Sequence, residues 1–368
     1  MAEALVDLAM DLWTEILARL PAKSLMRFRC VCKSWCSLID SSDFIVTHLH
    51  IYNKKRKSLI AKKETEFTLY SIDAFKKIDK VFSTQKDHCN SYNNCFGLIL
   101  LQETEDEFVF YNPCIRKSLV IPPCPFISMG YTILYYPGFA SSTNDHKIVA
   151  FGCRWNSEVS IAVYSLNDRL WRIKDGLFDE AHIRRYGCTY YSKSATHWLG
   201  FDQDYSKPPV SRIHLVSFDF DSEEFSITDF PDALKQKDSL KFLFTLGESI
   251  AAFSVCSMRI CIWVLVKDGG DRSWRLWYTG DTNLEADQFL TRSFFMEIFN
   301  AEKNTFLVLK KGKVYSYNFR THQIQHLENY TDHNSKSSEV YVENLVLHKR
   351  SQGKIWTDEF RTVQDCQF

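Results

Sequence analysis

A pattern of aromatic-ended strands about fifty residues apart constrains the fold of this 368-residue chain most strongly. Each copy has a run of β-branched or aromatic residues, a short polar turn and a second such run. The copies are marked by Tyr111, Tyr164, Phe218, Ile262 and Tyr315, with Tyr70 as a candidate sixth. Their spacing is close to the roughly 40–50 residues of a propeller blade. A sandwich gives no reason for this period, so the pattern favours an all-β, propeller-like domain of about five or six blades.

The first fifty residues have a helical pattern instead. Leu12, Ile16 and Leu20 recur every four residues, and Pro21 ends this helix because it lacks a backbone N–H and restricts the preceding residue. Short helices are then predicted to carry Leu25, Phe28 and Cys32, then Trp35, Leu38 and Ile39, and, after a stop and N-cap at Ser41-Ser42-Asp43, Phe44 and Leu49. These apolar stripes exceed what so small a core needs, so the spare face predicts a partner.

The change of pattern predicts an α+β protein of two domains. The helical domain covers residues 1–50, a basic linker 51–64, the propeller-like domain 65–350 and a C-terminal tail 351–368. The linker contains Lys54-Lys55-Arg56-Lys57, a run typical either of a nuclear localisation signal or of a solvated connection.

The charge balance narrows the choice of partner. The chain has 45 basic and 45 acidic residues, so it generates no net field toward phosphate backbones or anionic lipids. We therefore expect a protein partner, and neither nucleic acid nor membrane. Glu3, Asp7 and Asp11 interrupt any secretory signal, so the expected location is the cytoplasm, the nucleus or both.

No motif for chemistry is found along the chain. The nucleophile elbow, phosphate-binding loops and the zinc-protease helix are all missing, so no enzyme activity, catalytic residue or cofactor is predicted. Cys30, Cys32 and Cys36 form a tight cluster, for which buried thiols are favoured over metal ligation. Propellers include glycosidases, which need paired carboxylates. Acidic pairs such as Glu223-Glu224 are instead predicted at solvated hairpin turns.

The N-terminal region closely resembles the plant F-box. The resemblance runs from Leu20 to Trp35, LPAKSLMRFRCVCKSW, and on through Leu38-Ile39, Phe44 and His48-Leu49. Downstream motifs are similar to the F-box-associated domain of plant F-box/kelch-type and S-locus F-box proteins: FYNP from Phe110, VYSL from Val163, HWL from His197, SFDF from Ser217, IWV from Ile262 and YSY from Tyr315.

The resemblance implies the substrate receptor of a Skp-cullin-F-box ubiquitin ligase. The F-box would bind the Skp adaptor, and through it cullin, while the second domain would capture a target protein for ubiquitination. The residues implied to contact the adaptor are Leu12, Ile16, Leu17, Pro21, Leu25, Val31, Lys33 and Trp35. For Leu25, Phe28 and Trp35 the alternative is that they only form the core of the helical unit.

Two features leave a second function open. The sequence Leu8-Ala9 lacks the proline that usually opens the family motif, and Trp13 stands where a smaller residue is usual. The alternative is therefore a propeller interaction module with a degenerate F-box. Target recognition is expected in loops, because strands are committed to packing. The candidate loops are 140–145, 203–212 with Tyr205, and 330–338 with Tyr330.

Overall fold

Four helices begin the chain, as the periodicity predicts. The computed structural model describes residues 2–53, 58–63, 66–71, 77–83, 92–102, 104, 107–153, 159–178, 186–192, 194–202, 212–235, 240–247, 249–256, 258–268, 271–291, 295–300, 304–310, 313–329 and 338–347. The helices are α1 (Ala2–Leu17), α2 (Ala22–Phe28), α3 (Lys33–Ile39) and α4 (Ser42–Asn53). Two positions differ from the prediction: α1 ends before Leu20, and Cys32 is the N-cap of α3 rather than part of α2. Polar side chains start two of them: Cys32 Sγ accepts the Trp35 N–H at 3.4 Å, and Ser41 Oγ accepts the Phe44 N–H at 3.2 Å.

The other described residues form six four-stranded antiparallel sheets, which confirms the prediction of a propeller-like domain of five or six blades. The strands are β1 (Ser58–Lys63), β2 (Glu66–Ser71), β3 (Lys77–Ser83), β4 (Tyr92–Cys95), β5 (Leu98–Gln102), β6 (Phe108–Asn112), β7 (Lys117–Ile121), β8 (Thr132–Ala140), β9 (Asp145–Cys153), β10 (Val159–Ser165), β11 (Leu170–Phe178), β12 (Tyr186–Ser192), β13 (Ala195–Asp202), β14 (Arg212–Asp219), β15 (Glu224–Asp229), β16 (Leu240–Leu246), β17 (Ser249–Cys256), β18 (Arg259–Asp268), β19 (Asp271–Asp281), β20 (Phe295–Asn300), β21 (Thr305–Lys310), β22 (Lys313–Asn318), β23 (Ile324–Asn329) and β24 (Ser338–Tyr341). Short helices α5 (Asp232–Lys235) and α6 (Leu284–Thr291) connect sheets.

Five sheets use four consecutive strands, whereas the first combines both ends of the β domain. Its order is β24-β1-β2-β3, with Ser58 opposite Tyr341 and Ala61 opposite Ser338. Strand β1 lies inside the segment predicted as the linker, residues 51–64. The predicted domain boundaries remain predictions, and the tail, 351–368, lies outside the described residues.

A recurring capped turn joins the third and fourth strands of four sheets. A polar side chain ending the third strand accepts one or two of the next backbone N–H groups, which fixes the turn locally. These capping residues are Asn112, Ser165, Asp219 and Asn318. Four positions later the backbone is left-handed, at Arg116, Arg169, Glu223 and His322. Each turn reverses the chain within five residues.

The capped turn refines the register of the repeat markers. Tyr111, Tyr164 and Phe218 directly precede capping residues, so these markers are structurally equivalent. The equivalent residue in the last sheet is Tyr317, because it precedes Asn318; Tyr315 lies two residues earlier on the same strand. Ile262 lies in the middle of the long strand β18.

The chain forms two compact units, and each has its own core. Unit 1 comprises residues 1–72, 76–123 and 335–368, and unit 2 comprises 73–75 and 124–334. In unit 2, Tyr136 of β8 stacks on Trp198 of β13, with ring centroids 5.0 Å apart. In unit 1, Phe67 and Tyr341 of the first sheet pack with Ile99 and Tyr111 of the second. Large side chains thus join neighbouring sheets within each unit.

Candidate protein-docking site

Helix α1 has one buried face and one exposed apolar face. Leu17 and the following Ala18 are buried in the core of the helical unit. Leu12 and Ile16, one helical turn apart, are 56% and 52% exposed, and Trp13 is also exposed. Exposed apolar side chains in a cluster are typical of protein interaction sites.

The corner between α2 and α3 extends this apolar surface. Val31 is 61% exposed. The indole of Trp35, which is partly buried, lies beside that of Trp13 with ring centroids 5.0 Å apart, and beside Phe28 at 5.6 Å. The Trp13–Trp35 contact brings the exposed face of α1 next to the start of α3. Lys33, at that start, is exposed.

The eight residues predicted to contact the adaptor therefore fall into three groups. Leu12, Ile16, Val31 and Lys33 are exposed, and Pro21 and Trp35 are partly buried. Leu17 and Leu25 are buried and pack in the core of the helical unit. A partner can contact the first two groups directly, whereas Leu17 and Leu25 would act by supporting them. The predicted contact set left out two exposed apolar residues of α1: Met10, which the sequence analysis did not name, and Trp13, which it named only as a departure from the family; Met10 lies three residues before Trp13. That spacing was the available signal.

Polar contacts hold this corner in place. Arg29 Nε and Nη2 donate to the two carboxylate oxygens of Asp40 at 2.6 and 3.0 Å, and this tie joins the ends of α2 and α3. The imidazole of His48 lies 2.8 Å from the Leu20 carbonyl, just beyond α1. Burial lowers the pKa of His48 and outweighs that hydrogen bond, so the ring is neutral and its nitrogen donates. The exposed side chains are therefore presented on a fixed scaffold.

Polar groups of the predicted recognition loop at 140–145 form hydrogen bonds with other parts of the protein. Ser142 donates its N–H and hydroxyl to Asp221 at 2.9 and 2.6 Å, and Ser141 donates to the same carboxylate at 3.0 Å. Partial burial raises the pKa of Asp221, but hydrogen bonds from Ser142, Ser194 and Ser141 outweigh it and lower the pKa to about 2. The loop lies between β8 and β9, and these hydrogen bonds tie it to the turn between β14 and β15 in another sheet of unit 2. The other predicted recognition residues, Tyr205 and Tyr330, lie outside the described residues.

The acidic pair Glu223-Glu224 lies at a hairpin turn, as predicted, but the prediction that solvent explains the pair is wrong for Glu223, whose side chain is only 9% exposed. The Glu223 carboxylate pairs with Lys147 and Arg172 at 2.8 Å and with Lys174 at 3.3 Å. Partial burial raises the pKa of Glu223, yet the hydrogen bond and charge of Lys147, together with the other two cations, lower it overall. Glu223 therefore acts as a charged tie between two sheets of unit 2.

Two further findings concern metals and membranes. Within the described ranges, no three His, Cys, Asp or Glu side chains come together as metal ligands. The cysteines near α3 are not the buried thiols that the sequence favoured: Cys32 is exposed and caps α3, and Cys30 and Cys36 are partly buried, with Cys36 Sγ 3.9 Å from Asp40. Over the same residues, no helix has the length and apolar character needed to cross a bilayer.

Comparison with known proteins identifies the class. The profile of the F-box domain matches residues 5–47, and that of the F-box associated beta propeller domain matches residues 38–347. The helical unit followed by six sheets is therefore the architecture of a plant F-box protein. The chain belongs to the F-box associated β-propeller family.

The chain is also similar to proteins of Arabidopsis thaliana that are named as F-box proteins. The Probable F-box protein At5g47300 is 29% identical over 239 residues, 60% of this chain and 55% of the relative, so the matched region spans about half of that relative's length. The F-box protein CPR1 is 23% identical over 385 residues, 93% of this chain and 89% of CPR1. Among solved structures, TolB from Acinetobacter baumannii has a TM-score of 0.40 and 11% identity, over 77% of this chain and 65% of TolB.

Proposed function

We propose that this chain is the substrate-receptor subunit of a Skp-cullin-F-box ubiquitin ligase. Its F-box binds the Skp adaptor, and through it cullin, while the β domain captures a target protein for ubiquitination and degradation. The receptor itself performs no chemistry and works in the cytoplasm, the nucleus or both. The family of the chain supports this function.

The observation that carries the proposal is the exposed apolar face of the helical unit. Leu12, Ile16 and Val31 are each more than half exposed. The same small unit already has a core of its own, in which Leu17 and Leu25 are buried. Removing such side chains from water is favourable by about 25 cal/mol per Å², so this face gains free energy when a partner covers it. We assign the direct adaptor contacts to Leu12, Ile16, Val31 and the neighbouring groups Pro21, Lys33 and Trp35.

Adaptor binding by the full chain tests the assignment. We expect a purified plant Skp adaptor to bind the unaltered chain, and Leu12→Asp or Ile16→Asp to weaken binding at least about tenfold, because a charge would be buried at the interface. Leu284→Asp is the matched control, since Leu284 is 60% exposed but lies on α6 in unit 2. Normal affinity in both α1 variants would contradict the assigned face.

The alternative function is a protein-interaction module whose F-box no longer binds the adaptor. It is favoured by the Leu8-Ala9 sequence, which lacks the usual proline, and by the bulky Trp13 on the exposed face of α1. The same experiment separates the two functions. A folded, unaltered chain that fails to bind the adaptor supports the interaction module and refutes the receptor.

Target capture is a separate expectation. We expect substitutions at Tyr205 or Tyr330 to reduce binding of a target and to leave adaptor affinity unchanged, because these residues belong to the β domain rather than to the helical unit.

A further inference from the structure

The segment after the last strand, residues 342–347, runs from the first sheet to the helical unit and is here called the C-terminal strap. Strap and helices both belong to unit 1. The strap contacts two features of the helical unit, the start of α2 and the core beneath α1.

The first contact is a hydrogen bond to the start of α2. The Ala22 N–H donates to Glu343 Oε2 at 3.0 Å, across a separation of 321 residues. The first backbone N–H groups of a helix have no partner within the helix. Pro21, at the N-cap position, provides no side-chain acceptor. Glu343 therefore supplies an acceptor that the F-box sequence lacks.

The second contact is apolar. Leu345 is 0% exposed and lies in one cluster with the F-box core, which contains Leu17, Ala18, Ala22, Leu25, Ile39 and Phe44. Cys114 and Ile115, from the turn after β6, pack against the same cluster. The F-box core is therefore completed by side chains of the β domain.

The strap is itself held in a defined position. Asn112 Nδ2 donates to Asn344 Oδ1 at 2.6 Å and to the Val346 carbonyl at 2.7 Å, and Asn344 Nδ2 donates to the Phe96 carbonyl. At Gly97 a side chain would overlap the backbone carbonyl of Val342. The residue has a φ of +82° and leaves room for the strap.

We propose that Glu343 and Leu345 are positioning residues for adaptor docking. Leu345 packs in the same core that buries Leu17, the residue after the exposed Ile16, and Glu343 accepts the first N–H of α2. The C-terminal end of the β domain thus sets the geometry of the docking face at the opposite end of the chain. This inference rests on the proposed function, because it concerns binding of the same adaptor.

The test compares Glu343→Ala with Glu343→Gln in the full chain. In the Glu343→Ala variant, we expect the Ala22 amide hydrogen to exchange with solvent about tenfold faster, because its hydrogen bond to a charged acceptor is lost. We also expect this variant to bind the adaptor about three- to tenfold more weakly. Glu343→Gln keeps a side-chain acceptor and is expected to restore both values to within about twofold. Glu224→Ala is the matched control, because Glu224 is exposed on β15 in unit 2. Leu345→Ala is expected to weaken adaptor binding further.

The outcomes separate the two proposals. Failure of the unaltered chain to bind the adaptor overturns the receptor function and this inference with it. Binding by the unaltered chain together with normal adaptor affinity in Glu343→Ala overturns this inference alone, whether or not the Ala22 amide exchanges faster. Equal weakening in the Ala and Gln variants also overturns it, because the retained acceptor should rescue docking.

Discussion

The buried His197 should make the stability of the β domain depend on pH. Its side chain is buried on β13, and Nδ1 lies 2.7 Å from Ser217 Oγ on β14, directly opposite in the register. Burial, and secondarily the charge of Arg272, lower the pKa of His197 from 6.5 to about 3. The folded protein therefore keeps this ring neutral over a range in which an unfolded chain protonates it.

The sign and size of the effect follow from proton linkage. Above the unfolded pKa of 6.5 neither state carries the charge, and the full stability is present. As the pH falls toward the folded pKa of about 3, the unfolded state binds one proton more, so stability decreases by about 1.4 kcal/mol per pH unit. Between pH 7 and pH 5 this single group is expected to cost about 2 kcal/mol.

The contribution of His197 to the free energy of unfolding can be isolated by urea unfolding between pH 7 and pH 5. The unaltered chain is compared with His197→Asn. Asparagine retains a polar contact to Ser217 but does not titrate. His48, whose pKa is lowered by burial, and Asp145, whose pKa burial raises, are present in both proteins, so their effects cancel in the difference. We expect the advantage of the unaltered chain over the variant to shrink by about 2 kcal/mol from pH 7 to pH 5. Parallel stability curves would falsify the assignment.

Two stability predictions follow from burial. Leu25→Ala should lower the free energy of unfolding by about 2–5 kcal/mol, because Leu25 is completely buried. Ile16→Ala should lower it by under about 1 kcal/mol, because Ile16 is half exposed. Equal losses in urea unfolding would show that the two faces of the helical unit are wrongly assigned. Gly138→Ala should shift the thermal midpoint down by several degrees, since the new methyl group would overlap the buried ring of Phe220; an unchanged midpoint would mean that Phe220 moves aside without loss.

Much of the fold was predictable because its signals are local. The break between α1 and α2, next to Pro21, depends on one residue and its neighbours. The repeat was visible because four of the sheets end their third strand with an aromatic residue, such as Tyr111 or Tyr164, followed by a polar cap and a tight turn. In the last sheet the repeat pattern selected Tyr315 as the marker, although Tyr317 is the equivalent residue. Both side chains lie on the same side of the strand, so alternation alone cannot distinguish them.

The site was less predictable. Leu12 and Leu17 both belong to the apolar pattern of α1, yet one is exposed and the other buried. The difference depends on what packs beneath the helix, which includes Leu345 from the far end of the chain. No property of the first fifty residues signals that contact. The direct role of each residue in adaptor binding remains a prediction.

The helical start, a strand-and-turn repeat of five or six copies and the resemblance to the family could therefore all be read from the amino-acid sequence alone. Each depends on residues within one turn, hairpin or repeat. Three features could be seen only in the folded protein: β24 completes the first sheet, Glu343 accepts the first N–H of α2, and particular apolar side chains remain exposed. These features join residues about 300 positions apart, and burial is a property of such contacts rather than of the residues that make them.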